Sequence, residues 1–299
     1  MGKLSKALEK ALPEEKSVPI SVVAERNLGP KDVEQNEPAA QPATSTPARN
    51  EAPPRDTANT MLWDERLILS TQPNSTVMES FKRLRNKISY PASGTPPKTI
   101  LITSTVPGEG KGFVCSNLGV VLAQDMEHHA LMVDCDLRKP ALAKVFGVSN
   151  EMGLVDHLTS NTPIEKIIKK TGLPKLSLIP SGSTPNNPAE LLNSNRMVEL
   201  IEELVGRYND RFILLDSPPY IAASETAILA KHVDAVVLVV RWGLSGRDQV
   251  KDLVETLGKE KIIGTVFNAF EENELESLLG KKGQYGYKYN QYYHYHSNE

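Results

Sequence analysis

Cysteine is scarce in this sequence of 299 residues: only Cys115 and Cys135 occur, both inside apolar stretches. That excludes a disulfide framework and leads us to expect a reducing compartment. Long hydrophobic runs are also lacking. None approaches the roughly 18–20 residues that span a bilayer, and the best, Ala235 to Val240, has the length of a buried strand. The opening residues, Met1-Gly2-Lys3-Leu4-Ser5-Lys6, lack the apolar core of a secretory signal, and Lys6 stands where a myristoylation pattern needs a hydroxyl. Nor is there an excess of positive charge. The net charge of -3 gives no electrostatic reason to expect nucleic acid as a partner. A soluble protein inside the cell is expected.

What is present suffices for a real core, with 39% hydrophobic and 24% charged residues. Residues 1–12 place Leu4, Leu8 and Leu12 at helical spacing among lysines, which predicts a short amphipathic helix. It either packs on the domain or docks on a partner or membrane surface. Residues 13–60 are rich in Pro, Ala, Glu, Ser, Thr and Asn and read as a disordered linker, because they cannot bury enough surface to offset chain entropy. Residues 61–270 then form the folded domain. Its strand candidates are Thr99–Ser104, Ala130–Asp134, Leu176–Pro180, Phe212–Asp216, Ala235–Arg241 and Ile262–Asn268. Helix-like segments lie near 112–126, 188–206, 223–232 and 246–258. Continuous apolar strands separated by helices predict an α/β fold, a P-loop NTPase-like, doubly wound and mostly parallel sheet with helices on both faces. Residues 271–299 read as a flexible tail. It carries Tyr285, Tyr287, Tyr289, Tyr292, Tyr293 and Tyr295, six of the nine tyrosines in the sequence.

Between the first of these strands and its helix lies Thr105-Val-Pro107-Gly108-Glu109-Gly110-Lys111-Gly112-Phe113. Strand, glycine-rich loop and helix in that order are the context of a phosphate-binding loop. The glycines let backbone N–H groups turn toward phosphate oxygens, the helix N-terminus adds its dipole, and Lys111 supplies a compact positive charge. Pro107 to Phe113 are accordingly the candidate ATP-binding residues. The strict G-x-x-x-x-G-K-[ST] pattern fails twice, at Thr105 and at Gly112. The second departure matters more, because the hydroxyl expected there is a direct Mg²⁺ ligand.

Two apolar strands end in acid: Leu131-Met-Val-Asp134-Cys-Asp136-Leu-Arg138-Lys139-Pro140 and Phe212-Ile-Leu-Leu-Asp216-Ser-Pro-Pro219. In open α/β sheets ligands bind at the carboxyl ends of strands, so Asp134, Asp136 and Asp216 can converge on the phosphate loop. Asp216 has the form of a Walker B acid that holds Mg²⁺, often through water, and Asp134 or Asp136 could hold the metal or orient an attacking hydroxyl. The competing reading is that each aspartate merely caps a helix.

Together, residues 107–111, 133–140 and 214–219, with Asn187-Pro-Ala-Glu-Leu-Leu192 and the tyrosine-rich tail, resemble the bacterial tyrosine autokinases that control exopolysaccharide and capsule chain length. The likeness runs from about Asp64 to the C-terminus. It is nearest to the separate form associated with exosortase loci, which lacks a membrane-spanning half. The resemblance implies ATP and Mg²⁺ as cofactors, Lys111 on the phosphates, Asp134 and Asp136 in catalysis and metal binding, and Asp216 as the Walker B acid. It also implies trans phosphorylation of the tail tyrosines and an adenine contact from Asn268. The family's E-x-x-R-x-x-R oligomerisation helix corresponds to Glu79, Lys82 and Arg85, with Lys82 keeping the charge of the first arginine but not its bidentate geometry. The partners implied are a ring-like homo-oligomer, a membrane polysaccharide co-polymerase (chain-length determinant protein) as activator and a cognate tyrosine phosphatase. They imply a cytoplasmic location at the inner face of the membrane. Two alternatives share the fold. A ParA/MinD-like ATPase would carry a lysine where this chain has Val106, and an ATP-binding regulatory subunit with little kinase activity fits Gly112.

Overall fold

The computed structural model describes residues 20–22, 63, 64, 67 and 76–269. Its strands are β1 (Ile20–Val22), β2 (Thr99–Ser104), β3 (His129–Asp134), β4 (Lys169–Lys170), β5 (Leu176–Ile179), β6 (Arg211–Asp216), β7 (Ala235–Arg241) and β8 (Ile262–Asn268). Its helices are α1 (Thr76–Ser89), α2 (Lys111–Ala123), α3 (Leu142–Val145), α4 (Leu154–Ser160), α5 (Ile164–Ile167), α6 (Pro188–Leu192), α7 (Asn195–Arg207), α8 (Glu225–Leu229) and α9 (Arg247–Leu257). The strands form one sheet in the order β1-β8-β7-β2-β6-β3-β5-β4. All neighbours are parallel except β4, which runs antiparallel on β5.

Strand side chains alternate between the two faces, and the core divides accordingly. Ile100, Ile102, Ala130, Met132, Phe212 and Leu214 belong to the cluster that contains α2, with Val114, Leu118 and Val121. Leu101, Leu131, Val133, Ile213 and Leu215 face the other cluster, with Leu200 and Leu204 of α7 and Leu253 and Val254 of α9. Both faces are therefore covered, which is why these strands read as unbroken apolar runs. α2 is buried over most of its circumference, whereas α7 buries only Met197, Leu200, Ile201 and Leu204. The surface helix needs an amphipathic stripe and the central one does not.

The expected α/β architecture is observed, and three expected strands match the observed bounds: β2, β7 and β8. The linker expectation gives way at one place. Ile20–Val22, inside residues 13–60, pairs in parallel with β8, Ile20 opposite Val266 and Val22 opposite Asn268. β8 would otherwise present an open row of backbone donors and acceptors, and any short extended segment can satisfy it without a periodic apolar pattern. The amphipathic helix read at 1–12, the rest of the linker and the tail tyrosines lie outside the described residues. No helix among the described residues is long and apolar enough to cross a membrane.

Candidate active site

The loop after β2 owes its shape to two glycines in the left-handed region, Gly108 at φ 85° and Gly110 at φ 93°. Gly110 is the N-cap of α2 and offers no side-chain cap, so the N–H groups of the first turn are left to a ligand. Lys111 begins the helix and is only 8% exposed. Glu109 turns the opposite way and is fully buried. Its Oε2 accepts from the Val106 N–H at 2.9 Å, and its Oε1 accepts from the Arg241 N–H at 3.2 Å and the Ser245 hydroxyl at 2.6 Å. Asn268 Nδ2 donates to the Glu109 carbonyl at 2.8 Å.

A cavity of about 350 Å³ opens in front of this loop. Pro107, Gly108, Gly110, Lys111, Gly112 and Phe113 line it from one side, Asp136, Arg138 and Lys139 from the segment after β3, and Asp216, Pro218 and Pro219 from the end of β6 and the segment that follows. Six of the expected nucleotide-binding residues therefore share one cavity. Glu109 and Asn268 do not line it. Their side chains brace the loop from behind, so any contact of Glu109 with phosphate falls to its backbone N–H, and the Asn268 amide is engaged on the loop itself.

β3 and β6 are adjacent, and their register places Asp134 directly opposite Asp216. By strand alternation both follow Met132 and Leu214 onto the face packed against α2, so two carboxylates stand side by side near its N-terminus. Asp134 is fully buried. Its Oδ2 accepts from the N–H groups of Ala141 and Leu142 at 3.1 and 3.0 Å, while its Oδ1 has no partner. Burial pushes Asp134 up to about 7, opposed by the Leu142 N–H. Asp216 is raised well above the ordinary carboxylate value by burial and by Asp134, with Lys111 opposing, and its Oδ1 is likewise unpartnered. Asp136 is raised by burial, against the Lys139 N–H and Lys111.

Of the three aspartates expected to hold the metal, Asp136 and Asp216 line the cavity and Asp134 stands behind them. Among the described residues no three acidic, histidine or cysteine side chains gather as a metal site. The N–H groups of Ala141 and Leu142, at the start of α3, hold Asp134 Oδ2, and Asp134 does not line the cavity. Mg²⁺ commonly takes one or two carboxylates and completes its octahedron with phosphate oxygens and water. The unpartnered buried Oδ1 of Asp216, on the cavity wall beside the phosphate loop, fits that demand.

An AAA-domain family matches residues 97–265, more than half of the chain. The chain is 33% identical over 223 residues to the tyrosine-protein kinase YwqD of Bacillus subtilis, a match covering 74% of this chain and 90% of that protein. It is 33% identical over 229 residues to EpsB of Ralstonia nicotianae, covering 76% of this chain but only 30% of that longer protein. The solved kinase domain of the Escherichia coli tyrosine kinase ETK superposes with a TM-score of 0.64 at 30% identity, over 69% of this chain and 80% of that one. The chain belongs to the bacterial tyrosine-kinase family. Like EpsB, several curated members of that family are more than three times longer than the stretch it matches.

In this bacterial tyrosine-kinase chain the cavity also recruits residues that the sequence did not single out. Arg138 lines it while its Nε and Nη2 donate to Glu225 Oε1 at 3.2 and 2.9 Å, and Glu225 is only 1% exposed. Asp64, Leu67, Ser116, Asn117 and Val145 extend the cavity along α2. Basic residues two and three positions after Asp136 were a visible signal; Asp64 and Leu67, distant in sequence, gave none. On α1, Lys82 Nζ pairs with Glu79 Oε1 at 2.7 Å, and Arg85 Nη1 reaches the Val121 carbonyl at 3.4 Å. Two of the three expected oligomerisation residues thus satisfy one another within a single helix. Cys115 and Cys135 are free and buried.

Proposed function

We propose that this chain is an ATP-dependent protein-tyrosine kinase that phosphorylates Tyr285, Tyr287, Tyr289, Tyr292, Tyr293 and Tyr295 of a neighbouring copy. That modification regulates exopolysaccharide synthesis or export. The observation that carries the reading is the side-by-side placement of Asp134 and Asp216 at the N-terminus of the helix that begins with Lys111.

The loop N–H groups between Gly108 and Gly112 bind phosphate oxygens, and Lys111 neutralises their charge. Mg²⁺, when bound, neutralises the charge that spreads over the transferring phosphoryl group. Asp216 would hold that ion, and Asp134 behind it fixes the start of α3 through Ala141 and Leu142. Asp136 lines the cavity with a carboxyl already raised by burial, which suits it to take the proton of a tyrosine hydroxyl as its oxygen bonds to phosphorus. Arg138 and Lys139 supply positive charge at the mouth for an anionic substrate. The side chains of Glu79, Lys82 and Arg85 serve contact between copies in a ring. A membrane polysaccharide co-polymerase activates the enzyme at the inner membrane face, and a tyrosine phosphatase reverses the modification. The likeness to YwqD, which is named a tyrosine-protein kinase, supports this reading.

One observation favours a second reading. Gly112 lacks the hydroxyl that binds the metal, so the chain could serve as a nucleotide-binding regulatory subunit. Incubating the purified full-length chain with Mg-ATP and mapping phosphotyrosine by mass spectrometry separates the two. The kinase reading expects label on the tail that is lost in Lys111→Met. If nucleotide binds yet no tail tyrosine is labelled, even with the co-polymerase's cytoplasmic segment added, the regulatory reading stands instead.

A further inference from the structure

Ser116 lies one helical turn beyond Gly112 on the same side of α2, and both line the cavity. Its residue is fully buried, and its Oγ has no hydrogen-bond partner. That is unusual for a helical serine, which ordinarily satisfies its hydroxyl on the carbonyl four residues back. Here that carbonyl belongs to Gly112, and the bond is not made. A buried hydroxyl without a partner carries a desolvation cost that structures rarely leave without a use.

Two geometric facts bear on what this hydroxyl could meet. Helical side chains lean toward the helix N-terminus, so Ser116 covers the turn that begins at Gly112. A Cβ at residue 112 would stand 3.3 Å from Asp216 Oδ2 and 3.8 Å from the Ala141 Cβ, so a side chain there would reach the carboxylate. The absence of a side chain at 112 leaves the direction from Ser116 toward Asp216 unobstructed by residue 112. Asp216 Oδ1 is itself buried and unpartnered.

We infer that Ser116 is a positioning residue that replaces the missing phosphate-loop hydroxyl at one remove, holding a metal-bound water that the residue at 112 would otherwise displace. Mg²⁺ dehydrates reluctantly and retains several waters, so exchanging one protein hydroxyl for an ordered water is chemically mild. A hydroxyl at 112 and the hydroxyl of Ser116 are then alternatives, and only one of them is needed. This inference rests on the proposed nucleotide site.

The test is calorimetric titration of ADP into the full-length chain with Mg²⁺ and with EDTA. Ser116→Ala is expected to raise the Mg²⁺ concentration that half-saturates the affinity enhancement by about five- to tenfold, leaving affinity in EDTA unchanged. In a Gly112→Thr background the same Ser116→Ala change is expected to have no effect. An unchanged Mg²⁺ dependence in Ser116→Ala overturns the inference, as does an equal loss with and without Mg²⁺, which would mark a purely structural serine. Failure of the unaltered chain to bind ADP at all overturns the nucleotide site and this inference with it.

Discussion

Asn268 Nδ2 donates to the main-chain carbonyl of Glu109 at 2.8 Å, tying the end of β8 to the phosphate loop across 159 residues of sequence. Asn268 is 6% exposed, and its Oδ1 accepts from the Ala269 N–H at 2.9 Å. Glu109 adds its own three acceptor contacts to Val106, Arg241 and Ser245. The loop is thus held in shape by groups that never face the cavity.

Asn268→Ala is therefore expected to weaken nucleotide binding by disordering the loop. Loss of one buried hydrogen bond costs about 1–2 kcal/mol, roughly five- to thirtyfold in affinity if it falls on the bound state. Because the effect travels through Glu109, ADP, GDP and pyrophosphate should all weaken by the same factor. Loss confined to adenine nucleotides, measured by calorimetry, would restore a direct base contact.

Gly110→Ala probes the same junction from the other side. Its φ of 93° disfavours any side chain, and an added Cβ would lie 2.0 Å from Asn268 Nδ2. Asn268 must swing away and lose its bond to Glu109, and the left-handed backbone that alanine disfavours distorts the phosphate cradle as well. We expect no measurable ADP binding and a melting temperature lowered by several degrees. Full binding in this variant would contradict the observed loop.

Much of this is legible in the sequence. Apolar runs such as Thr99–Ser104 and Ala235–Arg241 announce parallel strands because both faces of the sheet are covered, and the strand-end acids announce the binding edge. What stayed hidden was direction. Glu109 and Gly110 are neighbours in sequence, but one side chain turns into the protein while the other residue lines the cavity. Sequence places Asn268 at the right strand end without saying whether its amide meets a base or a loop. Asp134 and Asp136 look equivalent as text. The N–H groups of Ala141 and Leu142 engage the first, and the second lines the cavity. β1 was missed because three residues on a sheet edge need no periodic pattern.

Gly112→Thr introduces the absent hydroxyl beside the Asp216 carboxylate. Residue 112 does not require a left-handed backbone, and its Cβ would stand 3.3 Å from Asp216 Oδ2, close enough that the carboxylate must shift slightly. The variant is expected to bind Mg-ADP several-fold more tightly, with unchanged affinity in EDTA, and to label its tail faster. Weaker Mg-ADP binding would show that the carboxylate cannot make way.

The paired carboxylates predict a distinctive pH dependence. Asp134 titrates at about 7 in the fold, against an ordinary carboxylate value near 4, and Asp216 is displaced in the same direction. Raised folded values mean that the native state binds these protons more tightly than the unfolded chain does. The stability they contribute is complete below about pH 4 and is lost as pH rises toward 7 and beyond. Asp216→Asn keeps the shape and removes one charge, and it also relieves Asp134 of a repulsive neighbour. At pH 8 without metal, this variant should melt about 3–8 °C above the unaltered protein, and at pH 5 the difference should shrink to a minor fraction of that, because the unfolded carboxylate is still ionised about one unit above its ordinary value. Excess Mg-ADP should stabilise only the unaltered protein, closing or reversing the gap at pH 8. Thermal unfolding at the two pH values decides it. An equal shift at both would mean that Asp216 acts through packing and not through its charge.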